Sequence, residues 1–161
     1  MSNEIRNLTT ESVKEGDELP SLAYDVSTTT VVLGALASRD WRPMHHDKDF
    51  AIHRNGTKDI FMNTPNQAAW FERYLTDWTG PKGRLGKIQF RMKDSVFPGD
   101  TMVFNGKVVG VEADESGCGW AKLQLTLSVG EKPVTDCTAR IALPVNAEDN
   151  PWKRTGNAWK P

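Results

Sequence analysis

The stretch that decides the fold, residues 59–81, reads DIFMNTPNQAAWFERYLTDWTGP. It opens with a strong helix start signal, because Asn63 or Thr64 can serve as the N-cap and Pro65 is tolerated in the first helical turn. A glycine–proline pair ends it. Apolar residues fall on more than one side of this helix, so most of its surface should be covered. The sequence therefore predicts a core helix over Pro65–Thr79.

The chain after this helix alternates apolar and polar residues in four segments, which is typical of strands with one packed face and one exposed face. The segments are GKIQFRM (86–92), DTMVFNGKVVGVEA (100–113), GWAKLQLTLSV (119–129) and VTDCTARIAL (134–143). The turn sequences FPGD, DESG and GEKP separate them. This pattern predicts a single α+β domain in which a long, curved antiparallel sheet is wrapped around the core helix.

Two further elements are predicted ahead of the core helix. Large apolar and aromatic residues recur at every second position over residues 22–26, which is typical of a strand. Ser27 can then cap a helix over about Thr28–Ser38. This helix would deliver Asp40 at or just past its C-terminal end. Residues 47–51 are predicted to form one more helical turn.

The segment ASRDWRPMHHDKDFA (37–51) carries the strongest candidate chemistry, because it places Asp40 five residues before His45. A carboxylate and an imidazole held close together can pass a proton to and from a bound water, and histidine titrates near neutral pH. Pro43 stiffens the link between them. The alternatives are that Asp40 only caps the helix or pairs with Arg39 or Arg42, and that His45 is a satisfied, half-buried histidine. His46 should point elsewhere.

Composition excludes several classes of function. A chain of 161 residues with 38% hydrophobic and 25% charged residues suits one soluble domain. The net charge of -1 provides no field for nucleic acid. No apolar run approaches the ~18 residues of a membrane span, and the N-terminus lacks the apolar core of a signal peptide, so a cytoplasmic location is the default expectation. Cys118 and Cys137 are predicted to be free thiols.

The sequence divides into three parts. Residues 1–12 are expected to be a flexible N-terminus, residues 13–145 the domain, and residues 146–161 a tail. Trp152 and Trp159 are unusual in a free tail, so it is expected to dock on the body of the domain or on a partner. No metal site is predicted, because adjacent histidines rarely ligate one ion and the spacing matches no metal motif.

The motifs SRDWRPMHHD (38–47), MNTPN (62–66) and FPGDT (97–101), in this order, resemble the MaoC-like (R)-specific enoyl-CoA hydratases of the hot-dog fold. The usual family run is Gly-Asp-x-Asn-Pro-x-His-x-Asp. The chain departs from it at Arg39, which stands where the glycine is usual, and at Arg42, which stands where the asparagine is usual. The usual His-Gly at the start of the core helix falls on Met62 and Asn63. The segments ASRDWRPMHHD, DIFMN and RYLTDWTGP look like the catalytic small subunits of actinobacterial hydratases that act on steroid side-chain enoyl-CoA thioesters.

The resemblance implies a hydratase that adds water to an α,β-unsaturated acyl-CoA, with a steroid side-chain thioester preferred. Asp40 and His45 would be the catalytic pair, the backbone N–H of Asn63 would hold the thioester oxygen, and Arg42 and Thr64 would bind substrate. No cofactor or metal is implied, since the coenzyme A thioester is the substrate. The partner would be a second MaoC-like hot-dog subunit in a heteromer, or a second copy in a homodimer, with neither nucleic acid nor membrane involved.

Two alternative functions follow from the same residues. A hot-dog acyl-CoA thioesterase would need a carboxylate on the core helix, where Glu72 is the only one in the middle. A non-catalytic partner subunit of a heteromeric hydratase would be expected to lack the aspartate and the histidine, and this chain has both.

Overall fold

The computed structural model describes residues 7–161 and confirms the α+β class, with every predicted helix and strand present. The strands are β1 (Glu18–Asp25), β2 (Arg84–Met92), β3 (Thr101–Ala113), β4 (Gly119–Val129) and β5 (Lys132–Leu143). The helices are α1 (Thr28–Ala37), α2 (Lys48–His53) and α3 (Thr64–Thr79). Four single-turn 3-10 helices, which the sequence pattern did not predict, lie at Thr10–Ser12, Pro43–His45, Pro151–Lys153 and Gly156–Ala158.

The five strands form one antiparallel sheet in the order β1-β3-β4-β5-β2. Strands β3, β4 and β5 are joined by short turns, and β4 lies at the centre, where its leucines at 123, 125 and 127 are buried. Strands β1 and β2 form the two edges, so each leaves one row of backbone groups unpaired within the part of the chain that the structure describes.

Helix α3 packs against one face of the sheet, as its sequence predicts. Phe71 and Tyr74 contact the Phe104 ring of β3, with ring centroids 5.1 Å and 5.8 Å apart. The opposite face of the helix is open, however, and Ala69 and Glu72 are exposed there. The expectation that most of α3 is covered therefore holds for only one side, because a single sheet can cover only one side of a helix.

Both ends of the described chain lie on the domain. Of the segment expected to be flexible, residues 1–6 fall outside the described residues, and Leu8 is buried with its N–H donating to the Thr79 carbonyl at 3.0 Å. In the tail, the Trp159 ring lies on the Trp120 ring of β4, with centroids 5.1 Å apart. The Arg84 guanidinium lies over Trp159 at 3.6 Å and donates to tail carbonyls. The tail is thus held by aromatic and hydrogen-bonding contacts.

The two cysteines are free, as predicted, and both are buried. Burial raises the pKa of the Cys137 thiol to about 12. Neither thiol is therefore placed to act as a nucleophile at neutral pH.

Helices α1 and α3 approach each other closely at Gly34. A Cβ atom built on Gly34 would lie 1.9 Å from the Nδ2 of Asn66, which donates to the Thr30 carbonyl at 3.1 Å. Glycine is therefore required for this contact, because any side chain would displace a buried amide. The contact sets the position of α1, and with it the position of the residues that follow α1, relative to the start of α3.

Replacing Gly34 with alanine should destabilise the protein by about 1–3 kcal/mol, the usual cost of overpacking a tight contact. The helix propensity of alanine offsets only part of that cost. The free energy of unfolding in urea measures the effect. Leu33→Ala is the matched control, since the Leu33 side chain is 57% exposed on the same helix and its loss should change stability little. Equal stabilities of Gly34→Ala and the parent protein would contradict the close approach.

Candidate active site

The end of α1 fixes the backbone of Asp40. The N–H of Asp40 donates to the Ala35 carbonyl at 2.9 Å and the N–H of Arg39 donates to the Leu36 carbonyl at 3.0 Å, which together form a Schellman motif. Arg39 occupies its left-handed position with φ of 54°. This position explains why glycine is usual before the aspartate, since a side chain there costs about 1–2 kcal/mol. The chain adopts the turn in spite of that cost.

The Asp40 carboxylate is nearly buried and is held by two neighbouring side chains. The Nε and Nη2 of Arg42 donate to its two oxygens at 2.9 Å and 3.0 Å, and the Nδ2 of Asn63 donates to Oδ2 at 3.1 Å. The hydrogen bonds from Arg42, assisted by the one from Asn63, hold the pKa of Asp40 well below its usual range. Asp40 is thus an ionised carboxylate at neutral pH.

His45 lies beside this carboxylate and is 3% exposed. Its Nδ1 is 2.8 Å from the carbonyl oxygen of Phe61. A carbonyl can only accept, so Nδ1 carries the hydrogen, and the neutral ring has its lone pair on Nε2. That Nε2 is 3.5 Å from the Oδ2 of Asp40. The pair that the sequence predicts is therefore brought together, and in this tautomer the Nε2 lone pair faces the Asp40 carboxylate.

Asn63 joins the pair to the start of α3. It is the N-cap, and its Oδ1 accepts from the Asn66 N–H at 3.2 Å while its Nδ2 contacts Asp40. The backbone N–H of Asn63 donates to no acceptor within residues 7–161. It lies at the positive end of the α3 dipole, where an anionic oxygen is stabilised. The Asn63 side chain thus contacts Asp40, while its backbone N–H remains available at the start of α3.

The other residues considered from the sequence differ in their distance from the Asp40–His45 pair. The Arg42 side chain is hydrogen-bonded to Asp40, so its predicted contact with substrate stays a prediction. Thr64 is exposed and its hydroxyl lies 3.4 Å from the Met92 sulfur. His46 is exposed and points away, with its Nε2 3.3 Å from the Trp41 carbonyl. Across the described residues, no group of three or more His, Cys, Asp or Glu side chains is arranged to hold a metal ion.

Two residues that position the site were not found from the sequence. The Ser38 hydroxyl donates to the Gly34 carbonyl at 2.7 Å and accepts from the Asn63 amide at 2.8 Å, so it ties α1 to α3. The Phe61 carbonyl sets the His45 tautomer from 16 residues away. A backbone carbonyl leaves no signal in a sequence, and a serine after a helix is too common to single out.

The sequence of the chain is similar to those of known proteins. A family model described as MaoC like domain matches residues 11–128. The beta subunit of 3-oxo-4,17-pregnadiene-20-carboxyl-CoA hydratase from Mycobacterium tuberculosis is 38% identical over 96 residues, which are 60% of this chain and 74% of that protein.

Solved structures agree with the fold. The ChsH1-ChsH2 complex from Mycobacterium tuberculosis contains a chain that is 30% identical, with a TM-score of 0.75 over 82% of this chain and 98% of that one. The R-hydratase PhaJ1 from Pseudomonas aeruginosa has a TM-score of 0.74 at 18% identity, over 88% of this chain and 89% of that one, and so supports the fold alone. The expected hot-dog fold is therefore confirmed. Among residues 7–161, no helix is long and apolar enough to cross a membrane.

Proposed function

The chain belongs to the MaoC-like domain family, and on that premise we propose that it is an enoyl-CoA hydratase that adds water to the double bond of an α,β-unsaturated acyl-CoA. One observation carries the proposal. The Nε2 of His45 faces the Asp40 carboxylate at 3.5 Å, beside a helix N-terminus whose Asn63 N–H is unpaired in the described part of the chain. Hydration of an enoyl thioester needs a base for water and a donor for the thioester oxygen, and these groups can supply both.

The proposed roles follow from the chemistry of the reaction. Attack of water on the β-carbon pushes electrons through the conjugated system onto the thioester oxygen. The Asn63 N–H, helped by the α3 dipole, opposes the charge that develops there, and such a donor contributes about 3 kcal/mol in other oxyanion holes. The attacking water lies at the Asp40–His45 pair, which supplies the base that takes its proton. The proposed reaction uses no cofactor.

A steroid side-chain thioester is the proposed substrate. The support is the 38% identity to a subunit whose name states 3-oxo-4,17-pregnadiene-20-carboxyl-CoA as its substrate. In the proposal, Thr64 lies at the entrance to the site, because it is exposed and next in sequence to Asn63.

We further propose a second MaoC-like hot-dog subunit as the partner, with a homodimer as the alternative. The similar ChsH1-ChsH2 structure is a complex of two different chains. The unpaired edges β1 and β2 give this chain a means of joining another sheet. A cytoplasmic location goes with the proposed coenzyme A substrate.

The thioesterase alternative is weaker on geometry. Glu72 is exposed on the open face of α3 and lies nine residues beyond Asn63, which is about 13 Å along the helix axis. It is therefore too far from the Asn63 N–H to act on a carbonyl bound there. The non-catalytic alternative is weaker because the chain keeps both members of the acid-base pair in contact.

The proposal is tested by following the loss of enoyl-thioester absorbance, with the purified chain alone and with a co-encoded hot-dog partner. A short-chain enoyl-CoA and a steroid side-chain enoyl-CoA serve as the two substrates. We expect hydration of the steroid thioester by the chain together with its partner. Activity of the chain alone on the short substrate would favour a homodimeric general hydratase. Release of free coenzyme A without hydration would favour the thioesterase, and no reaction under any condition would favour the non-catalytic subunit.

A further inference from the structure

The Asp40 carboxylate accepts more hydrogen bonds than its place in an acid-base pair requires. Arg42 provides three donors: Nε at 2.9 Å and its backbone N–H at 3.3 Å to Oδ1, and Nη2 at 3.0 Å to Oδ2. The Asn63 amide adds a fourth at 3.1 Å to Oδ2. An ionised carboxylate has about four lone-pair sites. The acceptor capacity of Asp40 is thus filled by the protein itself.

A carboxylate whose lone-pair sites all accept hydrogen bonds from the protein is a poor base. To take a proton, Asp40 would have to give up a charge-assisted hydrogen bond, which is about twice as strong as a neutral one. The lowered pKa of Asp40 agrees with this, because the hydrogen bond from Arg42 is its largest cause. The asparagine that usually stands at position 42 could not form this two-pronged contact, since it has no guanidinium.

His45, in contrast to Asp40, has an acceptor atom without a hydrogen-bond donor in the described part of the chain. Its Nδ1–H is committed to the Phe61 carbonyl, and its Nε2 has a lone pair that no donor within residues 7–161 satisfies. The distance of 3.5 Å from Nε2 to the Asp40 Oδ2 is too long for a good hydrogen bond, and two acceptors would not form one. The nitrogen is therefore free to accept a hydrogen from water.

Resting on the proposed hydratase function, we propose that Arg42 is a positioning residue that holds Asp40 as a fully hydrogen-bonded anion and so leaves the Nε2 of His45 to take and return the proton. This division of roles follows from a residue at which the chain departs from its family. Arg42 itself does not contact the reacting atoms. Its side chain is 64% exposed and it acts on Asp40 from the solvent side.

The proton and electron movements balance in this scheme. The water oxygen forms a bond to the β-carbon while one of its O–H bonds breaks and the proton bonds to Nε2. The π electrons of the double bond move toward the thioester oxygen, giving an enolate opposite the Asn63 N–H. The enolate then collapses, its α-carbon takes the proton from Nε2, and neutral His45 is restored. The anionic Asp40 stabilises the imidazolium that exists between these two transfers.

A competing role for Arg42 is to bind a phosphate of coenzyme A. The two roles differ in what they predict for a substrate without phosphates. A phosphate-binding arginine affects KM, and its effect disappears with a pantetheine thioester. An arginine that positions Asp40 affects kcat, and its effect is the same with both substrates.

The experiment compares Arg42→Gln and Arg42→Lys with the parent protein on matched coenzyme A and pantetheine enoyl thioesters. We expect Arg42→Gln to lower kcat about 10- to 100-fold on both, the range set by the loss of charge-assisted hydrogen bonds, with KM changed less than about twofold. Arg42→Lys should have a higher kcat than Arg42→Gln. The lysine ammonium keeps the positive charge, but it cannot form the two parallel hydrogen bonds of the guanidinium. Arg73→Gln, which removes another exposed arginine paired with an aspartate, is the control and should leave kcat unchanged.

A second readout does not depend on activity. The carboxyl carbon signal of Asp40, followed by NMR as the pH is lowered, should titrate at a higher pH in Arg42→Gln than in the parent protein. An effect confined to KM on the coenzyme A substrate, or an unchanged Asp40 titration, would overturn the proposal. If the parent protein hydrates no enoyl thioester, the proposed function fails, and the Asp40 titration still decides whether Arg42 holds the carboxylate.

Discussion

Hydration should fall by about 10²- to 10⁴-fold when His45 is replaced by glutamine, the range that general acid-base catalysis contributes. Glutamine can still donate to the Phe61 carbonyl, which is 2.8 Å from the His45 Nδ1, so the local packing is largely kept. An amide cannot take a proton from water at neutral pH, however. The expected result is therefore a loss of kcat in a folded protein, measured by enoyl-thioester absorbance and by circular dichroism.

The neighbouring histidine provides the control. His46 is exposed, and within residues 7–161 its ring is hydrogen-bonded to the Trp41 carbonyl and not to Asp40. His46→Gln should hydrate at a rate within about twofold of the parent protein, as is usual for surface substitutions away from a site. Equal losses in both variants would point to a general effect on the loop. Full activity of His45→Gln would remove His45 from the mechanism.

The second large effect is expected for Asp40→Asn. This change keeps the size of the side chain and removes its negative charge, so an imidazolium at His45 loses the anion 3.5 Å from its Nε2. We expect kcat to fall about 10²- to 10³-fold, as when one preorganised electrostatic contact is removed from an active site. The loss of stability should be small, because Arg42 is mostly exposed and solvent screens its pair with Asp40.

Asp77→Asn is the matched control for the charge. Asp77 is 61% exposed and pairs with Arg73 on α3, so its replacement removes an aspartate–arginine pair outside the site. Steady-state kinetics of the two variants, with unfolding curves to compare stability, separate a catalytic role from a structural one. If Asp40→Asn retained the activity of the Asp77→Asn control, the Asp40 carboxylate would have no part in the reaction.

Most of the fold could be predicted from local patterns. The alternation in the four segments after the core helix places Leu125 and Ile141 on the packed face, and both are buried. Alternation has this predictive value because side chains of a strand point to opposite faces in turn. The sequence pattern predicted too large a buried fraction for the surface of α3, because apolar residues such as Ala69 occur on its exposed face as well. Composition alone does not indicate which side of a helix meets the sheet.

The site was predictable in part. The spacing of Asp40 and His45 carried the resemblance to the family, and the structure brings these two side chains together. The hydrogen bonds on these two side chains come from Arg42, which is close to both in sequence, and from Phe61 and Asn63, which lie some twenty residues downstream of Asp40. No sequence pattern gives the distance between such groups.

The sequence by itself determined the element order, the helix caps and the candidate acid-base pair, because these depend on neighbours along the chain and on short-range backbone preferences. The tertiary structure alone decided the tautomer of His45 and the hydrogen bond from the Asn63 side chain to the Asp40 carboxylate. Each depends on where a donor or an acceptor from another segment comes to lie. Hydrogen bonding requires atoms to approach within about 3 Å, and the fold brings Phe61 to His45 and Asn63 to Asp40 at that distance.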